Sequence, residues 1–230
     1  MLLLKVTQLF FIFLTTVLTT VTVFVPEKSN AQTATTTASV QSESIIQALQ
    51  KGGYIIYFRH TQTNPNQADT DTLHLENVKA QRQLTKVGEQ QAREIGAAFN
   101  RLKIPVGKVL TSKLYRAQEV AKLAGFQNYQ ALVDVTEPQN VPPVEAQRRA
   151  TALRQLLATQ PQKGTNTVII GHRPNLQDAA GKEFGDLKEG EAVIFKPLLD
   201  KQGFQPIGRV ASPERWTDLT TSFTPNQASN

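Results

Sequence analysis

Five apolar residues in a row, Tyr54-Ile55-Ile56-Tyr57-Phe58, follow Gly52-Gly53 and run into the polar stretch Arg59-His60-Thr61-Gln62-Thr63. An unbroken apolar run rich in β-branched and aromatic side chains predicts a strand of a parallel sheet, buried on both faces. Similar runs predict strands over Val106–Thr111, within Ala131–Thr136 and over Thr165–Ile170. Between them the spacing of apolar positions changes to that of helices. Ser44–Lys51 is stopped by the glycine pair, and a helix from Leu84-Thr85 to Leu102 takes Thr85 as N-cap and Val87, Ile95, Phe99 and Leu102 as its inner face. Ser112 is the expected cap of a helix ending at Gly125. Pro142-Pro143 opens one to Thr159 with Val144, Ala150, Leu153 and Leu157 inward, and Asn175–Gly181 is a short one. Glu191–Lys196 and Phe204–Val210 read as a terminal hairpin. This alternation predicts an α/β fold, a mostly parallel sheet with helices on both faces.

The ends of the chain follow a different pattern. Lys5, an apolar and Thr-containing run from Leu9 to Val25, Pro26 and the small-residue site Ser29-Asn30-Ala31 predict a signal peptide over 1–31, cleaved before Gln32. The run is also long enough for an uncleaved membrane anchor. Residues 32–42 are mostly Thr, Ala, Gln and Ser and form a linker, 43–218 the folded domain, and 219–230 a polar, disordered tail. The expected location is therefore secreted or periplasmic, without stable membrane association after cleavage.

Charge and cysteine content narrow the chemistry. The formal charge of +6 becomes +5 once Lys5, Lys28 and Glu27 are set aside, a sign that suits an anionic substrate. The basic residues are scattered, with no dense run or interleaved aromatics, so no nucleic-acid partner is expected. The absence of cysteine excludes disulfides, thiolate catalysis and cysteine-based zinc sites.

In parallel sheets ligands bind beyond the carboxyl ends of the strands, which is where Arg59-His60 and Gly171-His172 fall. Arg116 lies in the first turn of the helix after the second strand and can reach back to the same edge. Two guanidiniums and two imidazoles there make a pocket matched to a phosphoryl group, because guanidinium forks bind its oxygens in pairs. A neutral imidazole in that pocket can attack phosphorus while its cationic neighbours stabilise the transferring group. The polar segment Thr61–Arg82, carrying Asp69, Asp71 and His74, is long for a connection and is expected to be functional.

Arg59-His60 with Thr63 and Asn66, Leu84-Thr85 with Gly88 and Gln91-Ala92, Ser112-Lys113-Leu114-Tyr115-Arg116-Ala117, and Gly171-His172 together resemble the histidine phosphatase (phosphoglycerate-mutase-like) superfamily over nearly all of residues 50–210. The resemblance implies a three-layer α/β/α fold and a phosphohistidine on His60. It further implies a phosphate pocket from Arg59, Arg116 and His172 helped by Thr63, no cofactor and no metal, and a small phosphorylated substrate. Two departures stand out. Thr61 replaces the glycine usual after Arg-His, and Arg173, which cannot give up a proton, follows His172 where one branch has an acid. The mutase-like branch takes its proton donor from the segment after the third strand, where Glu137 is nearest and Asp134 second; Glu191 is a third candidate. These departures motivate an alternative, an inactive phosphate-binding member of the fold. A metal-dependent hydrolase built on His60, His74 and His172 is a further one. Trp216 is expected to plug the core.

Overall fold

The computed structural model describes residues 45–198 and 203–216. The expected signal peptide, linker and C-terminal tail lie outside them. Among the described residues no helix is long and apolar enough to cross a membrane.

Helix α1 (45–51) leads into β1 (Ile55–Arg59), followed by α2 (Lys86–Arg101), β2 (Val106–Ser112), α3 (Tyr115–Leu123), β3 (Gln130–Leu132), α4 (Pro143–Ala158), β4 (Asn166–Gly171), α5 (Arg173–Ala180) and the hairpin β5 (Ala192–Leu198) and β6 (Gly203–Val210). The six strands form one sheet in the order β3-β2-β4-β1-β5-β6. β1 to β4 are mutually parallel, while β5 runs antiparallel to β1 and to β6.

Alternate residues of each strand enter different cores, as the period of two requires. Ile56, Phe58, Val168 and Ile170 pack with α2, α3 and Trp216, whereas Ile55, Tyr57, Ile169 and Phe195 pack with Leu153 and Leu157 of α4 and Leu176 of α5. The result is the expected α/β/α sandwich. Trp216 is fully buried against Phe58 and Phe99, as expected of a core plug.

Three local expectations are corrected. Val87 and Val144 are 54% and 77% exposed. The buried stripe of α2 runs through Gly88, Ala92, Ile95 and Phe99, so its first turns use small residues that a search for large apolar side chains passes over. The stripe of α4 runs through Ala150, Leu153 and Leu157, and Val144 stands about a third of a turn away from it. Ser112 ends β2 and its hydroxyl accepts from the Leu114 N–H. The first N–H of α3, on Tyr115, is satisfied by the Gln81 side chain at 2.7 Å, from a distant loop. Thr85 does cap α2, accepting from the Gly88 N–H at 3.0 Å.

Candidate active site

The parallel register between the two central strands sets Arg59 opposite Gly171. The next residues, His60 and His172, therefore emerge side by side, with ring centroids 5.2 Å apart. Tyr57, one of the inward residues of β1, fixes the second of them: its hydroxyl donates to the His172 carbonyl and accepts from the His172 N–H, both at 2.9 Å. A side chain on Gly171 would collide with that hydroxyl, so the glycine before His172 is a packing requirement of Tyr57.

Thr61 is accommodated without strain, because its backbone stays out of the left-handed region. Its buried hydroxyl donates to the Gly88 carbonyl at 2.8 Å. A Cβ at Gly88 would approach the Gln62 carbonyl too closely, so glycine is needed for α2 to lie against the strand end. The long segment after it is tied down by its own side chains. Gln67 bonds to Gln81 and Gln83, Asp69 accepts from the Arg82 N–H, and Asp71 accepts from His74 and Asn77.

His60 and His172 are both buried. His60 Nδ1 lies 2.9 Å from the Thr61 carbonyl, which can only accept, so Nδ1 carries the proton and Nε2 presents its lone pair. Burial, and after it the positive charge of Arg116, holds His60 well below the ordinary histidine range; the same two causes act on His172. Both imidazoles are neutral at pH 7. Among the described residues neither nitrogen of His172 has a hydrogen-bond partner, and Nδ1 is 3.7 Å from Glu137 Oε2.

This burial sets an expected pH dependence of stability. Between about pH 6.5 and the lower folded values, the unfolded chain binds protons that the folded protein does not. Stability should then fall as pH falls, by up to about 1.4 kcal/mol per pH unit for each histidine. His74 acts in the opposite direction, since Asp71 raises it, but it is exposed and contributes little. Urea denaturation at pH 7.5 and 5.5 measures the difference; an unchanged midpoint, or an unchanged slope in His172→Ala, would contradict neutral burial.

A cavity of about 440 Å³ opens over the two rings, and Arg59, Asp69, Arg82, Glu137 and Arg173 are on its wall with them. The expected residues are distributed as follows. Arg59 lines the cavity while donating to the Leu187 carbonyl (2.8 Å) and to Glu189 (3.3 Å). Arg116 is completely buried and stands behind the wall, its two terminal nitrogens on Asp69 (2.9 Å) and Glu137 (3.3 Å). Thr63, expected among the phosphate ligands, does not line the cavity. Its hydroxyl and N–H both donate to Glu189, at 2.7 and 3.1 Å.

Of the three candidate proton donors only Glu137 reaches the cavity. Asp134 is paired on the surface with Arg148, and Glu191 is bound by Arg209 and by the Lys188 N–H. The backbone around Glu137 is held by Arg149, which donates to the Thr136 and Glu137 carbonyls, and by Asn175 of α5, which donates to Thr136. His74 lies on the surface, bonded to Asp71, and is absent from the cavity wall, so the three histidines do not share a site. Asp69, Arg82 and Glu189 were not singled out by the sequence. The polar loop hinted at the first two, and nothing pointed to the third.

Residues 55–137 match the model of the histidine phosphatase superfamily (branch 1), bearing out the resemblance carried by the motifs. No curated protein matches the chain in sequence. Among solved structures the chain is similar to the protein histidine phosphatase SixA complexed with tungstate, at 16% identity and a TM-score of 0.50, covering 70% of this chain and 98% of that one. It is also similar to a mycobacterial glucosyl-3-phosphoglycerate phosphatase in complex with inorganic phosphate, at 13% identity and a TM-score of 0.50, over 71% and 99% of the two chains. At such identities the likeness is one of fold, the mixed α/β sandwich with its central sheet.

Proposed function

We propose that the protein is an exported, metal-independent phosphomonoesterase that works through a phosphohistidine on His60. One observation carries this reading: the Nδ1–H of His60 is engaged by the Thr61 carbonyl, leaving a neutral Nε2 aimed at a cavity that Glu137 also lines. In the first step His60 Nε2 forms a bond to phosphorus as the ester P–O bond opposite it breaks, and the departing oxygen takes a proton from Glu137. In the second, Glu137 removes a proton from water, the water oxygen attacks phosphorus, and the N–P bond breaks to release phosphate and neutral His60. Arg59 and His172 donate to the phosphoryl oxygens. Arg116 acts from behind, its charge adding to burial in keeping His60 unprotonated, and holds Glu137.

The seated Glu137 and the unstrained Thr61 support an active enzyme over an inactive binding protein. Export rests on the apolar run and the Ser29-Asn30-Ala31 site of the sequence. Both parts are tested by expressing the full chain in an exporting bacterial host. Intact mass should show a soluble product beginning at Gln32, and that product should hydrolyse p-nitrophenyl phosphate equally well before and after chelation. A full-length chain in the membrane fraction would overturn export. Absence of turnover, or loss on chelation with recovery on adding zinc, would overturn the chemistry.

A further inference from the structure

The charged groups around the cavity do not balance as the motifs alone suggest. Arg59 is paired with Glu189, and Arg116 with both Asp69 and Glu137. Two guanidiniums therefore face three carboxylates, or two ionised ones once Glu137 carries the proton it donates, so these pairs leave no net positive charge to attract a phosphate ester. The two imidazoles add nothing, since burial keeps them neutral. The remaining charges on the wall are Arg82 and Arg173, and among the described residues neither side chain is in an ion pair. Together they turn the sign of the site positive.

The two differ in depth. Arg173 is exposed at the first turn of α5, whereas Arg82 is half-buried and its Nε is shielded from solvent without a partner. Its backbone N–H is fastened to Asp69, the same carboxylate that grips Arg116, so its stem is anchored next to the buried cation. Arg82 lines the same cavity as both rings, and its charge is the smallest of the causes, after burial, Arg116 and Arg59, that lower His60 and His172. A planar fork with unclaimed donors, directed into a cavity over a nucleophile, is what a tetrahedral oxyanion needs.

We propose that Arg82 is a phosphoryl-binding catalytic residue of this site, adding to the contacts of Arg59 a guanidinium that, unlike those of Arg59 and Arg116, no carboxylate already holds. Arg173 lies further out and draws the anion toward the mouth. This role presupposes the phosphatase activity proposed above.

The test uses the full chain as purified, with inorganic phosphate as the probe. Calorimetry should show phosphate binding weakened about tenfold or more in Arg82→Gln, with partial recovery in Arg82→Lys, which keeps the charge and loses the fork. Arg82→Gln should also lower kcat/KM by roughly 100-fold or more. No side-chain hydrogen bond of Arg82 is lost in this change, so the thermal midpoint should stay near that of the wild type; Arg173→Gln should weaken phosphate by a smaller factor, and mainly at low salt. If the wild type binds and hydrolyses phosphate esters while Arg82→Gln matches it within about twofold in both measurements, this assignment falls and the phosphatase reading stands. If the wild type neither binds phosphate nor turns over, both fall together.

Discussion

His60→Ala is expected to reduce phosphatase turnover by roughly four orders of magnitude or more, because removing the nucleophile closes the covalent route instead of weakening one contact along it. The fold should survive. The imidazole is enclosed by the strand ends and donates one hydrogen bond, to the Thr61 carbonyl, so its removal costs about 1–3 kcal/mol for the group left unpaired. That cost is partly offset below pH 6.5, where the substitution also removes a buried base that resists protonation. The wild-type enzyme, quenched within milliseconds of mixing with substrate, should carry phosphate on nitrogen, a phosphoramidate that is labile in acid and stable in base. Mapping the label should locate it on His60 and not on His172. The tautomer explains the choice: His60 has its proton committed on Nδ1, whereas among the described residues no hydrogen-bond partner fixes either nitrogen of His172, which is left to donate to the phosphoryl oxygens. Retention of more than a few per cent of activity in His60→Ala, or label on another residue type, would exclude this mechanism.

The parts of this site visible in the sequence are those positioned by strands. A parallel strand buried on both faces must be continuously apolar, so β1 and β4 end where their polar residues begin, and register then brings His60 beside His172. Helix faces were legible only where large side chains marked them, hence the errors at Val87 and Val144. The loops were opaque for a physical reason: their conformation comes from side-chain to backbone bonds across long separations. Gln81 bonds to the Tyr115 N–H, and Glu189, in the segment before β5, reaches Thr63. Glu191 was a plausible candidate because it precedes a strand. Gly190, in the left-handed region, turns the chain so that Glu189 faces Arg59 and Thr63 while Glu191 turns to Arg209. The pairing of Arg116 with two carboxylates was equally hidden, since Asp69 and Glu137 are 68 residues apart in sequence but meet on one guanidinium.

These pairings separate two tasks that the motif assigned to one set of arginines. A guanidinium locked between carboxylates is a rigid fixture: it holds its partners in place and sets the electrostatic potential at the histidines, with few donors left to follow a moving phosphoryl group. Catalysis by preorganised charge favours fixtures of this kind, provided another cation can engage the substrate directly.

Glu137→Gln should divide the reaction into its two halves. The amide is isosteric and can still accept from Arg116 and leave the backbone bonds from Arg149 and Asn175 untouched, so the cavity keeps its shape. What disappears is the ability to give and take a proton, a contribution of about 100- to 10,000-fold. With p-nitrophenyl phosphate the leaving group needs no proton, so phosphorylation of His60 should remain fast. Hydrolysis of the phosphohistidine then lacks its base, and nitrophenol should appear as a burst of one equivalent followed by a slow steady state. With an alkyl phosphate the first step also needs the acid, and no burst is expected. The contrast depends on Glu137 touching the reacting oxygens, because a residue that only steadied Arg116 would slow both substrates alike and leave no phosphoenzyme. A Glu137→Gln enzyme that showed no burst with the activated ester, or a steady-state rate within about threefold of the wild type, would return the proton donor to some other group on the cavity wall, Asp69 being the next carboxylate within it.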